Sequence, residues 1–112
     1  MRALYLLIGT ALAACGISLD ADAAEAAHPL LSEGRSAYKQ LCAHCHGIDM
    51  VNPGTGSFDL RRWPVDRKDD FVAAVMHGKG DMPAWGDLLS AEEIEALWVY
   101  VATRGGKQTF PE

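Results

Sequence analysis

Cys42-Ala43-His44-Cys45-His46 constrains what this chain can fold into more than any other stretch of its 112 residues. Two thiols three positions apart, with a histidine directly after the second, form the CxxCH signature of covalent haem attachment. The spacing has a chemical reason. Sulfurs that add across the two vinyl groups of one porphyrin must stand about one helical turn apart, on the same side of the backbone. His46 then falls beneath the ring, where an imidazole nitrogen can coordinate iron. The cofactor expected is haem c, one per chain, and the chemistry expected is one-electron transfer. Two readings without haem compete for the same residues. A CxxC thiol oxidoreductase would need a βαβ context, which the sequence lacks. A zinc site would have three ligands, with the adjacent Cys45 and His46 poorly placed for one tetrahedron.

There is room for one domain, and the first stretch lies outside it. Met1-Arg2 is a short cationic start, Ala3 to Leu19 is nearly all apolar or small, and Asp20-Ala21-Asp22-Ala23-Ala24 follows. This pattern predicts a secretory signal peptide over residues 1–23, cut after Ala23 or, through Ala24-Glu25-Ala26, after Ala26. Left uncut, its seventeen-residue apolar run would sit at the lower limit for a membrane anchor. Leu12-Ala13-Ala14-Cys15 has the form of a lipobox, in which Cys15 would be lipidated. Leu19 and the acidic, small-residue segment behind it look instead like the tail of an ordinary signal. The expected location is therefore the periplasm. Residues 24–31 are expected as a flexible N-terminus, 32–106 as the folded domain and 107–112 as a C-terminal tail.

Removing Arg2, Asp20 and Asp22 with the leader leaves 9 Lys+Arg against 13 Asp+Glu, a formal charge of −4. That balance argues against nucleic acid and against tight binding to anionic lipid. It suits a protein partner with a basic docking surface. So small a domain buries a limited fraction of its surface, and a flat apolar cofactor would supply much of the missing core.

Helical spacing predicts three helices. Leu31, Gly34, Tyr38 and Leu41 carry an apolar face into Cys42, with Ser32 as cap and Gly47 as terminator. Asp66 can cap a second helix through Phe71, Val72, Val75 and Met76, stopping at Gly78. Ser90-Ala91-Glu92-Glu93 is a capping box opening a third, with Ile94, Leu97, Trp98 and Val101 as its stripe and Gly105-Gly106 as its close. Ile48 to Pro64 and Lys79 to Pro83 read as loops. No strand is evident. The fold class is all-α: short helices and long loops wrapped around one haem, since loops this long in so small a domain usually line something.

Met82 is the expected second axial ligand. It lies far from His46 in sequence, and its thioether would favour ferrous iron and raise the reduction potential. Pro83 stiffens the backbone just behind it. Met76 reads as core and Met50 stands too close to His46 to reach the opposite ring face. His77, near a helix end, is the chief rival ligand, although a surface role, interacting favourably with the helix dipole, is the better reading of it. His44 and His28 read as solvated bystanders. Arg61, Arg62, Trp63 and Lys79 could serve the haem propionates, which need donors or counter-charge; the adjacent arginines could as well be simply exposed, and Trp63 could equally be core. Pro53 is the expected backbone acceptor for the free ring nitrogen of His46.

With these residues in place, the chain resembles the class I monohaem cytochromes c from about Leu31 to Arg104. Gly34 and Tyr38 match the family's N-terminal helix, and Leu97 and Tyr100 its C-terminal helix. The resemblance implies that Cys42, Cys45 and His46 bind haem and that Met82, in Met82-Pro83-Ala84-Trp85-Gly86, is the distal ligand. Ser57 to Pro64 and Gly78 to Gly86 are similar to cytochromes that accompany periplasmic quinoprotein (PQQ) alcohol dehydrogenases. This implies a dehydrogenase upstream and an oxidase or another cytochrome downstream. The expected function is non-enzymatic electron transfer. The alternative is a haem peroxidase or gas sensor with an open distal position.

Overall fold

The computed structural model describes residues 9–11 and 28–111. Apart from residues 9–11, the leader of residues 1–23 lies outside the described residues, as do Cys15 and both cleavage positions. Among the described residues no helix is long and apolar enough to cross a membrane.

Among the described residues four α-helices follow one another: α1 (Leu31–Leu41), α2 (Ala43–His46), α3 (Lys68–His77) and α4 (Ala91–Ala102). Two 3₁₀ turns, Ile48–Met50 and Leu60–Arg62, punctuate the long connection between α2 and α3. The described residues contain no strand, only an isolated antiparallel bridge between Lys79 and Met82. The fold is therefore all-α, as the spacing predicts. The CxxCH segment forms a separate single turn instead of running straight on from α1.

Packing centres on the crossing of α1 over α4. A Cβ at Gly34 would overlap the Ala96 carbonyl and come within 3.1 Å of Tyr100 Cβ, so the two backbones meet there. Tyr38 and Tyr100 stack beside the crossing with ring centroids 4.8 Å apart. The Tyr38 hydroxyl donates to the Gly47 carbonyl at 2.6 Å, satisfying a buried polar group and tying α1 to the end of α2. Burial, with Tyr100 beside it, holds the Tyr38 phenol well above the usual tyrosine range. α4 buries far more than the predicted stripe: Ala96, Val99, Tyr100 and Ala102 are covered as well as Ile94, Leu97, Trp98 and Val101. A helix apolar on nearly every side must be central. α3 packs on it through Phe71, whose ring lies 5.3 Å from that of Trp98, and through a Lys68–Glu95 ion pair of 2.7 Å.

Several local expectations are corrected. Ser32 does not cap α1. The helix opens one residue earlier, at the fully buried Leu31, behind a turn in which Leu31 N–H donates to the His28 carbonyl. His28 is no bystander: its Nδ1 accepts from Leu30 N–H at 3.2 Å and its ring stands edge-on to Phe110. Asp66 does not cap α3 either. Arg67 holds that position without a side-chain cap and reaches forward to Asp70. Met76 is not core but 39% exposed, because Phe71 and Val75, one turn apart, take the seam against α4. The capping box forms as expected, with Ser90 Oγ accepting from Glu93 N–H and the Glu93 carboxylate from Ser90 N–H.

Candidate haem site

Cys42 ends α1, and α2 turns the chain so that His46 N–H and Cys45 N–H both donate to the Cys42 carbonyl, at 2.9 and 3.2 Å. The sequence thus brings Cys42, Cys45 and His46 together within one helical turn. Gly47 stops the turn at φ 94°, where a Cβ would collide with the Val51 carbonyl, so glycine is required. Both cysteines are free thiols, Cys42 half-buried and Cys45 exposed. Burial, reinforced by the neighbouring Cys45, pushes the Cys42 thiol up to about 11. A thiol-exchange centre needs a depressed thiol instead. Among the described residues no three His, Cys, Asp or Glu side chains are grouped to hold a metal ion. In protein produced without haem attachment, iodoacetamide at pH 8 should alkylate Cys45 well ahead of Cys42, read by peptide mass. Equal rates would contradict the burial of Cys42.

The His46 ring is held from behind. Its Nδ1 lies 2.9 Å from the Phe58 carbonyl oxygen, and in the tautomer that donates this bond Nε2 carries the lone pair. The acceptor is Phe58, not Pro53. The loop between them is folded on itself: Gly54 N–H donates to Asn52 Oδ1 at 2.8 Å, and the Asn52 amide donates to the Ser57 carbonyl. Thr55 Oγ1 ties the loop to the Cys45 carbonyl at 2.8 Å. This compaction carries the chain past Pro53 and delivers Phe58 to the imidazole.

Met82 sits apart, on the turn after α3. Lys79 N–H donates to the Met82 carbonyl at 3.1 Å and Met82 N–H to the Lys79 carbonyl at 3.0 Å. The same segment is fastened to α3 by Trp85 N–H to the Val75 carbonyl, 2.8 Å, and Gly86 N–H to the Met76 carbonyl, 3.2 Å. Gly78, at φ 75°, permits this close return. The Met82 side chain is half-buried against the same apolar core that Cys42 borders. Met50 is fully buried in that core, and His77 is exposed at the end of α3.

A cleft of about 540 Å³ opens between the Phe58–Arg67 segment and α3, lined by Phe58, Arg62, Trp63, Arg67, His77 and Lys79 among others. Its size suits a cofactor and its cations suit carboxylates, but Cys42, Cys45, His46 and Met82 are not among the residues that line it. Of the expected propionate partners, Arg62, Trp63 and Lys79 line it. Arg61 instead pairs with Asp59 at 2.9 Å, which holds that carboxyl below the usual carboxylate range. The Trp63 indole donates to the Arg67 carbonyl at 3.0 Å. Sequence reasoning missed Arg104, whose guanidinium donates to the Leu60 carbonyl at 3.0 Å and the Trp63 carbonyl at 2.7 Å. An arginine just past a long apolar helix was the available signal, because cations there often satisfy carbonyls.

The family described as cytochrome C oxidase, cbb3-type, subunit III matches residues 29–101. Cytochrome c6 from Rippkaea orientalis is 38% identical over 72 residues, covering 61% of this chain and 65% of its own length. Cytochrome c6 from Microcystis aeruginosa is 38% identical over 79 residues, covering 67% of this chain and 98% of its own. Quinohemoprotein alcohol dehydrogenase ADH IIB from Pseudomonas putida is 32% identical over 82 residues, 70% of this chain but 12% of that enzyme. Among solved structures, the c-type cytochrome XoxG from Methylobacterium extorquens AM1 superposes with a TM-score of 0.57 at 25% identity, covering 74% of this chain and 57% of that one. The chain thus spans less than two thirds of the length of the first, third and fourth of these proteins. A helical fold with a CxxCH turn, a family match over most of the chain and near-complete coverage of a cytochrome c6 together place this protein in the cytochrome c family, with covalent haem c as its cofactor.

Proposed function

We propose that this chain is a non-enzymatic, one-electron carrier of the periplasm, exported behind a removed leader. Cys42 and Cys45 would hold the haem covalently, and His46 and Met82 would supply the ligands to its iron. The observation that carries this reading is the His46 ring, oriented by the Phe58 carbonyl and borne on the same helical turn as both thiols. The haem supplies reversible one-electron chemistry at iron; the protein binds, orients and tunes it. The bond from Nδ1 fixes the tautomer and makes Nε2 a better donor. The doubly bonded Lys79–Met82 turn holds the thioether on backbone that need not rearrange between oxidation states, which keeps electron transfer fast. Arg62 and Lys79 offer counter-charge to the carboxylates.

The likeness to a segment of a quinohemoprotein alcohol dehydrogenase supports a quinoprotein dehydrogenase as electron donor. The family description supports an oxidase as electron acceptor. Intact mass and a visible spectrum of natively matured protein test the whole reading. One haem added per chain, a mass beginning after Ala23 or Ala26, and a reduced form that does not bind carbon monoxide are expected. A colourless protein of unmodified mass would remove the haem assignment. Carbon monoxide binding by the reduced protein would favour a sensor or peroxidase.

A further inference from the structure

Arg104 stands where a helix normally ends in glycine. Its N–H donates to the Val101 carbonyl at 3.0 Å and Gly105 N–H donates to the Tyr100 carbonyl at 2.8 Å, the paired bonds of a Schellman close. Its φ is 54°, a left-handed conformation that an L side chain rarely adopts. A glycine would relieve that conflict, so something must compensate for the arginine.

The compensation is the pair of carbonyls it holds, that of Leu60, the first residue of the 3₁₀ turn Leu60–Arg62, and that of Trp63, just past its end. A planar guanidinium can span two fixed acceptors at once; an ammonium is a point donor without that fork. Arg62 and Trp63 lie on the cleft wall that this grip fixes. The Trp63 ring also stands edge-on to Phe58, centroids 5.4 Å apart, and Phe58 is the residue whose carbonyl orients His46. A chain of direct contacts therefore runs from the end of α4 to the imidazole.

We infer that Arg104 is a positioning residue of the haem site: its guanidinium locks the Leu60–Trp63 turn, and through it the cleft wall and the Phe58 carbonyl that aims His46. This assignment rests on the haem reading above. With the lock removed, the wall loosens and water enters the cleft. Water stabilises the more highly charged ferric centre, so the reduction potential falls.

Two variants separate positioning from simple stability. Arg104→Ala loses the grip and keeps the strained backbone. Arg104→Gly loses the grip but relieves the strain, so its helix end should be sound. Both holoproteins should show a lowered potential and at least tenfold faster amide exchange at Arg62 and Trp63, whatever their melting temperatures. Arg104→Lys should fall between them and the parent. An Arg104→Gly holoprotein with parental potential and parental exchange at those amides would overturn the inference. If the parent itself proved to carry no haem, the haem reading would fail instead, and the exchange comparison would still decide whether Arg104 locks the turn.

Discussion

Gly34→Ala should lower the melting temperature of the holoprotein by roughly 10 °C or more, even though alanine is the better helix former. The two effects oppose each other and can be weighed. Propensity favours alanine by about 1 kcal/mol in a helix interior. Against it stands a methyl group built into the Ala96 carbonyl, with Tyr100 Cβ 3.1 Å away on the other side. The obstacle is backbone, so no side-chain rotation relieves it and α1 must move off α4. Overpacking of ordinary side chains already costs about 1–3 kcal/mol; a backbone collision at the central crossing belongs at the upper end or beyond. A net loss of about 2 kcal/mol is a large share of the roughly 5–15 kcal/mol that holds a domain folded, and each kilocalorie shifts the midpoint by about 4–8 °C at this size. Gly34→Val should do worse, since it also loses the propensity gain. Thermal unfolding followed at 222 nm checks both. A melting temperature equal to or above the parent's would mean that the helices do not cross at Gly34.

The features legible in the sequence were those with local causes. CxxCH is visible because covalent attachment dictates its spacing, and the Ser90–Glu93 capping box because both of its bonds span three residues. Gly34, Tyr38 and Tyr100 came from family resemblance, and the contact between α1 and α4 bears that out. What stayed hidden depended on partners distant in sequence or on competing local geometry. Ser32 and Asp66 have the right chemistry for caps, but a turn from His28 starts α1 early and Arg67 enters α3 ahead of its first residue. Met76 has the right hydropathy for the core, yet the direction of α3 gives the seam to Phe71 and Val75. The acceptor for His46 could not be counted off by spacing, because internal bonds from Asn52 and Thr55 set the path of the loop and present Phe58 in place of Pro53. The role of Arg104 was hard to read for the same reason: Leu60 and Trp63, the two carbonyls it grips across the fold, lie more than forty positions earlier.

Met82→Ala should keep the haem attached and change nearly everything else about it. On the proposed reading attachment rests on Cys42 and Cys45, which the substitution leaves alone, so the added mass should stay. The turn should survive as well, because both of its bonds join backbone atoms of Lys79 and Met82. The loss is then of the thioether alone. A soft sulfur ligand favours ferrous iron; without it the reduction potential should drop by about a tenth of a volt or more, within the roughly 0.8 V over which axial ligands act. The vacated position should let the reduced variant take up carbon monoxide, which the parent is expected to refuse. Redox titration and a carbon monoxide difference spectrum read these two effects independently. His77→Ala is the matched control, since His77 is the other side chain able to compete for the same position and lies on the cleft wall. If Met82→Ala left the potential and gas binding untouched while His77→Ala changed both, the iron would be held by two imidazoles. The rigid Lys79–Met82 turn would then shape the loop without supplying a ligand.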